Sequence, residues 1–120
     1  MTVVAYALAV VLNLFIVYIG VGFLRKPYAS AAGYGVPATQ DRAYLEIKGV
    51  RDATFGVAGL AVLVFAGAHA EAWFMLAVTL APLGDTLIVL RHGGKKAVAF
   101  GIHFATAMVM LVSAGLLFAV

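Results

Sequence analysis

Three ionisable residues stand where a hydrophobic chain can least tolerate them: Asp52, Asp85 and His103. Two carboxylates and an imidazole are a sufficient set for proton transfer. The carboxylates serve as acid or base, and the imidazole changes charge near neutral pH. Around them lie candidates for holding a ligand. Lys48 and Arg51 suit an anionic group. Asn13 and Tyr18 offer polar atoms from the N-terminal segment, and Tyr34, Glu46 and Arg91 complete the set. Each feature also has a plainer explanation. Asp52 can pair with Lys48 four residues earlier or cap a helix. Asp85 can bond a neighbouring helix, and His103 can be a satisfied core histidine. Tyr34 in "GYGVP" can be an interfacial tyrosine at a turn.

The surroundings give these residues their weight. The chain has 120 residues, of which 65% are hydrophobic and 11% charged. Soluble domains carry about 25% charged residues, and a domain this small cannot bury so much apolar surface by itself. Lipid is the expected solvent. An aspartate at the centre of a membrane helix costs roughly 2.5–3.5 kcal/mol, and such residues default to function.

Four apolar segments are expected as spans, at about residues 3–24, 49–68, 71–90 and 97–120, in one domain covering 1–120. The second is short unless it reaches back to Gly49, because a crossing needs about 20 residues. Lys48 to Asp52, "KGVRD", then form the first turns of that helix. The fold class is all-α, an integral membrane four-helix bundle. Continuous rather than alternating apolar runs exclude a barrel.

All eight Lys and Arg fall in two connections, between spans 1 and 2 and between spans 3 and 4, with Arg51 at the membrane edge where span 2 begins. The positive-inside rule puts both connections in the cytoplasm and both termini on the other side. The expected location is the plasma (inner) membrane. The basic residues are topology signals, so nucleic acid is not an expected partner. "RHGGKK" reads as a tight turn, with anion binding at the next helix start as the alternative. Thr39 is a candidate N-cap for "QDRAYLEIKG".

Gly49, Asp52, Gly56, Gly59 and Leu63 repeat at spacings of 3, 4, 3 and 4. They share one helix face, and small residues on it favour close packing. Asp52 then points inward. Pro82 and Gly84 are expected to kink or open the third span beside Asp85. Asp85 lies six residues before Arg91 and His103 six after Ala97, each about 9 Å deep. The two match in depth, and a shared polar cavity is the economical account.

Cysteine is absent, which removes thiol chemistry and cysteine metal sites. There is no Walker loop, nucleophile elbow or two-histidine zinc pattern. No cofactor and no metal are expected.

The motifs "GYGVP", "KGVRD", "APLGD" and "RHGG", with the later His103, resemble an uncharacterised family of small four-helix integral membrane proteins, the domain of unknown function DUF4267. The resemblance covers roughly Pro27 to the end. It implies a four-helix membrane fold and brings no activity with it.

The residues themselves lead to a polar site in the cytoplasmic half of the bundle. It would bind a lipid or lipophilic small molecule and transform it by acid–base chemistry. Asp52, Asp85 and His103 would be catalytic. The alternatives are a proton-coupled transporter acting as a homodimer, and a structural or accessory membrane subunit.

Overall fold

The computed structural model describes residues 1–120, and every regular element is helical. There are five helices rather than the expected four. α1 is Thr2–Arg25, α2 is Pro27–Tyr34 and α3 is Arg42–Phe65. α4 is Ala68–Arg91 and α5 is Lys96–Phe118. α1, α4 and α5 are each long and apolar enough to cross a membrane, which is compatible with a membrane protein. α3 has the length, but Lys48, Arg51 and Asp52 lower its apolar character. The molecule extends 44 Å along its longest axis, close to the roughly 40–45 Å of a bilayer with its headgroups.

The extra helix follows from local chemistry. Pro27 lacks an N–H, stops α1, and is pre-set for the first turn of α2. At the other end Gly35 takes a left-handed conformation, φ 94°. The amides of Gly35 and Val36 bond back to Ala32 and Ala31, the paired pattern of a Schellman C-cap. Tyr34 is therefore the last helical residue, held at a fixed angle.

α3 begins at Arg42 and runs on without a break through Gly49, where the second span was expected to start. The N-cap is Asp41, with φ 64° and no side-chain cap bond, rather than Thr39. Two i,i+4 pairs, Arg42–Glu46 and Lys48–Asp52, help carry the helix through its charged stretch. Lys48 consequently sits about 9 Å inside the helix.

The buried residues of α3 are Gly49, Gly56, Gly59 and Leu63. Their face meets α1 in antiparallel register: Gly49 lies against Gly20, and Gly56 and Gly59 against Asn13. α5 packs on α1, α4 packs chiefly on α5, and α3 joins α4 through a tight turn at Gly67, φ 99°. Ala5, Ala9, Leu63, Ala72, Ala114 and Leu117 belong to a tight cluster at the end carrying both termini.

α4 is interrupted at Thr79, between its segments Ala68–Val78 and Leu80–Arg91, three residues before Pro82. That offset follows from proline chemistry. Pro82 cannot donate to the carbonyl of Val78 one turn earlier, so the irregularity falls upstream of the ring. Thr79 and Thr86 steady the region by donating their hydroxyls to the carbonyls of Met75 and Pro82, both at 2.7 Å. α4 ends in a second Schellman cap, with Gly93 and Gly94 donating to Leu90 and Val89. In α5, Ala99–Phe104 winds as a π-helix containing His103.

Candidate functional site

Tyr34 is the centre of the polar arrangement. Its hydroxyl donates to Asp85 Oδ2. Its ring packs on the His103 imidazole, centroids 4.2 Å apart, and edge-on against Phe23 at 5.5 Å. Lys48 Nζ stands 4.0 Å above that ring and 4.7 Å from the ring of Phe23. The same ammonium pairs with Asp52 Oδ2 at 2.6 Å. His103 Nε2 donates to the backbone carbonyl of Tyr34 at 2.7 Å. In a neutral imidazole this leaves Nδ1 as the acceptor. Five elements converge here: Phe23 from α1, Tyr34 from α2, Lys48 and Asp52 from α3, Asp85 from α4 and His103 from α5.

Burial is the main influence that pushes the Tyr34 phenol well above the ordinary tyrosine range, with the Asp85 and Asp52 carboxylates adding to it. Ionising Tyr34 would put a third negative charge beside two carboxylates in a low-dielectric setting. Tyr34 is thus a neutral donor to Asp85.

A cavity of about 740 Å³ opens from this cluster. It runs between α1 on one side and α4 and α5 on the other. Asp52, Asp85, His103 and Tyr34 line it at the basic end, and Arg25 and Lys26 stand near them at its rim. Phe15, Ile16, Phe74, Val78 and Met110 form apolar wall along its length, and Asn13 lies farther along α1. This volume is within the roughly 300–1,000 Å³ of small-molecule sites, and the pattern of apolar walls with few convergent polar groups is theirs too.

The sequence-derived candidates divide. Asp52, Asp85, His103, Asn13, Tyr18 and Tyr34 all line the cavity. Tyr18 does so while largely exposed on the outer surface. Lys48 stands behind the wall and reaches it through Asp52 and Tyr34. Glu46, Arg51 and Arg91 lie outside the cavity: Glu46 is tied to Arg42 at 3.0 Å, and the other two are exposed. These three stand on the outer surface because their helix faces turn away from the bundle.

Two features escaped the sequence reading. Phe23 completes the aromatic wall around Lys48. Glu71 is fully buried, and its Oε1 accepts from Asn13 Nδ2 at 2.9 Å. The same Asn13 amide also donates to the Ala9 carbonyl at 2.9 Å. Glu71 Oε2 and Ser113 Oγ are buried without partners. Glu71 looked like a helix-start residue, and nothing local in the sequence announces a partner 58 positions away.

No group of three or more His, Cys, Asp or Glu gathers as a metal cradle. The cluster brings a phenol–carboxylate hydrogen bond and an imidazole together at one end of an apolar cavity.

The family model of the domain of unknown function DUF4267 matches residues 13–117, and the chain belongs to that family. The matched range includes every residue of the cluster. No curated protein matches the chain, and no solved structure does.

Proposed function

We propose that this member of the DUF4267 family is an integral membrane protein that binds a lipophilic small molecule and can perform acid–base chemistry on it. The carrying observation is the cavity of about 740 Å³, apolar along its walls and lined at one end by Tyr34, Asp52, Asp85 and His103. A molecule that partitions into lipid would place its apolar body along α1, α4 and α5. Its polar group would meet the cluster. Asp85 and His103 are the proton-accepting and proton-donating candidates, and Tyr34 orients Asp85 through its hydroxyl.

In this reading α3 is the fourth span, its charged first turns lying at the membrane edge. Both termini face the non-cytoplasmic side of the plasma (inner) membrane. The support is the segregation of all eight basic residues to the α1–α3 and α4–α5 side of the molecule. The cluster then opens toward the cytoplasmic leaflet.

The test is mass spectrometry of organic extracts from protein purified in mild detergent, for the natural chain and for Thr106→Phe. Thr106 lines the cavity, and a phenyl ring there would fill part of it. A lipophilic compound enriched with the natural chain and lost from a folded Thr106→Phe variant is the expected result. Equal recovery from both would refute the cavity as the binding site.

A further inference from the structure

The balance of charge in the cluster narrows the ligand. Asp52 has a cationic partner, Lys48, at 2.6 Å. Lys48 is further held over the faces of Tyr34 and Phe23. Asp85 has no such partner. It belongs to neither of the two ion pairs in the molecule, and its one side-chain hydrogen bond comes from the neutral Tyr34 hydroxyl. The cluster therefore presents two carboxylates against one ammonium, with His103 spending Nε2 on the Tyr34 carbonyl.

The remaining cations do not meet this need. Arg42 is tied to Glu46, and Arg51, Lys95 and Lys96 are exposed and away from the cavity lining. Arg91 is exposed at the far end of α4, six residues and about 9 Å along the axis from Asp85. Arg25 and Lys26 reach the cavity only at its exposed rim. An exposed cation is satisfied by water or by lipid phosphate. Asp85 is half-buried in the cavity wall, and its one side-chain partner, the Tyr34 hydroxyl, carries no positive charge.

Resting on the reading that this cavity holds a lipophilic molecule, we infer that the molecule is a lipophilic amine whose ammonium seats on Asp85. The aromatic lining fits that charge. Phe23, Tyr34 and Phe55 line the same end, and ring faces attract cations most strongly where water is excluded. The Tyr34 and Phe23 faces already hold Lys48, which leaves the Phe55 ring as the face for an incoming ammonium. An aliphatic body would extend from Asp85 past Val78 and Phe74 toward Asn13.

Three probes of equal chain length separate the possibilities: dodecylamine, dodecanol and dodecanoate. Each would displace an environment-sensitive lipophilic dye from the protein in nanodiscs, with empty nanodiscs correcting for partition. Dodecylamine is expected to bind about tenfold or more tightly than dodecanol, the ratio given by one charge-assisted hydrogen bond. Asp85→Asn should erase that preference while leaving dodecanol affinity in place, and Asp85→Glu should keep it. Thermal unfolding in parallel shows that each variant is folded. Equal affinity for amine and alcohol would overturn the inference while leaving the cavity reading intact. So would an amine preference that survives Asp85→Asn. A preference for dodecanoate would also overturn it and move the polar group to Arg25 and Lys26. Failure of all three probes to bind would sink the cavity reading itself, and this inference with it.

Discussion

The α1–α3 seam gives a sharp test through Gly20→Ala. An added methyl at Gly20 would lie 2.5 Å from both the Ala53 amide nitrogen and the Gly49 carbonyl oxygen, and 3.0 Å from Ala53 Cα. Ordinary carbon contacts sit at about 3.5–4.0 Å, so the two helices must part by roughly 1 Å. Every atom in the way is backbone, and no rotamer change can relieve the contact. Overpacking of this kind costs about 1–3 kcal/mol. Replacing glycine by alanine inside a helix recovers about 0.8–1.0 kcal/mol of propensity, so the variant needs an internal control. Gly115→Ala supplies it: Gly115 is within α5, and an added methyl there meets nothing within 4 Å. The difference between the two variants isolates the seam contact, at about 1–3 kcal/mol in favour of Gly115→Ala. Unfolding followed by helical circular dichroism, during titration of mild-detergent micelles with a denaturing detergent, measures it. If Gly20→Ala were as stable as Gly115→Ala, the close approach of α1 and α3 would be wrong, and so would the inward aim of the α3 face.

Two further outcomes follow from the buried pair and from the charge distribution. Asn13→Leu removes the one hydrogen-bond partner of the buried Glu71 carboxyl; it should destabilise by about 1–3 kcal/mol, and adding Glu71→Leu should recover part of the loss in the same unfolding assay. An additive double variant would show that the two side chains do not act as a pair. For orientation, cysteines placed singly at Ser30 and Lys95 should resist an impermeant thiol reagent on intact cells, and one at Thr2 should react; labelling of Ser30 and Lys95 from outside, with Thr2 shielded, would invert the proposed topology.

Much of the helical frame was legible because it rests on local rules. The glycine and leucine spacing on α3 named the residues that the structure buries there. The two glycines of "RHGGKK" form the cap that ends α4. α2 was missed although its signals were present: Pro27 at a helix start, four alanine and serine residues, and Gly35 at a C′ position. The glycine and proline of "GYGVP" drew attention to the turn and away from the helix it terminates. The helical stretch before Gly49 and the span after it read as separate pieces because Lys48, Arg51 and Asp52 look like a membrane edge, whereas α3 runs unbroken from Arg42 to Phe65. Two i,i+4 ion pairs make that same stretch an acceptable helix. The common level of Asp85 and His103 could be anticipated from helix rise, and both meet Tyr34. The contacts that matter most could not. Tyr34 with Asp85 spans 51 positions and His103 with Tyr34 spans 69, and no periodicity encodes either. Nor did anything in the sequence forecast the π-helical turn that carries His103.

The position of Lys48 connects the fold to the proposed chemistry. Had α3 begun at Gly49, Lys48 would lie in a loop, free to snorkel to the headgroups. With the helix starting at Arg42, Lys48 occupies a defined register and is fixed by three partners, Asp52, Tyr34 and Phe23. A lysine committed in this way cannot also neutralise Asp85 without leaving Asp52 half-buried and unpaired. The seven additional residues of α3 therefore do more than lengthen a span. They commit Lys48 to one carboxylate, Asp52, and leave the other, Asp85, at the cavity with the Tyr34 hydroxyl and no cationic partner.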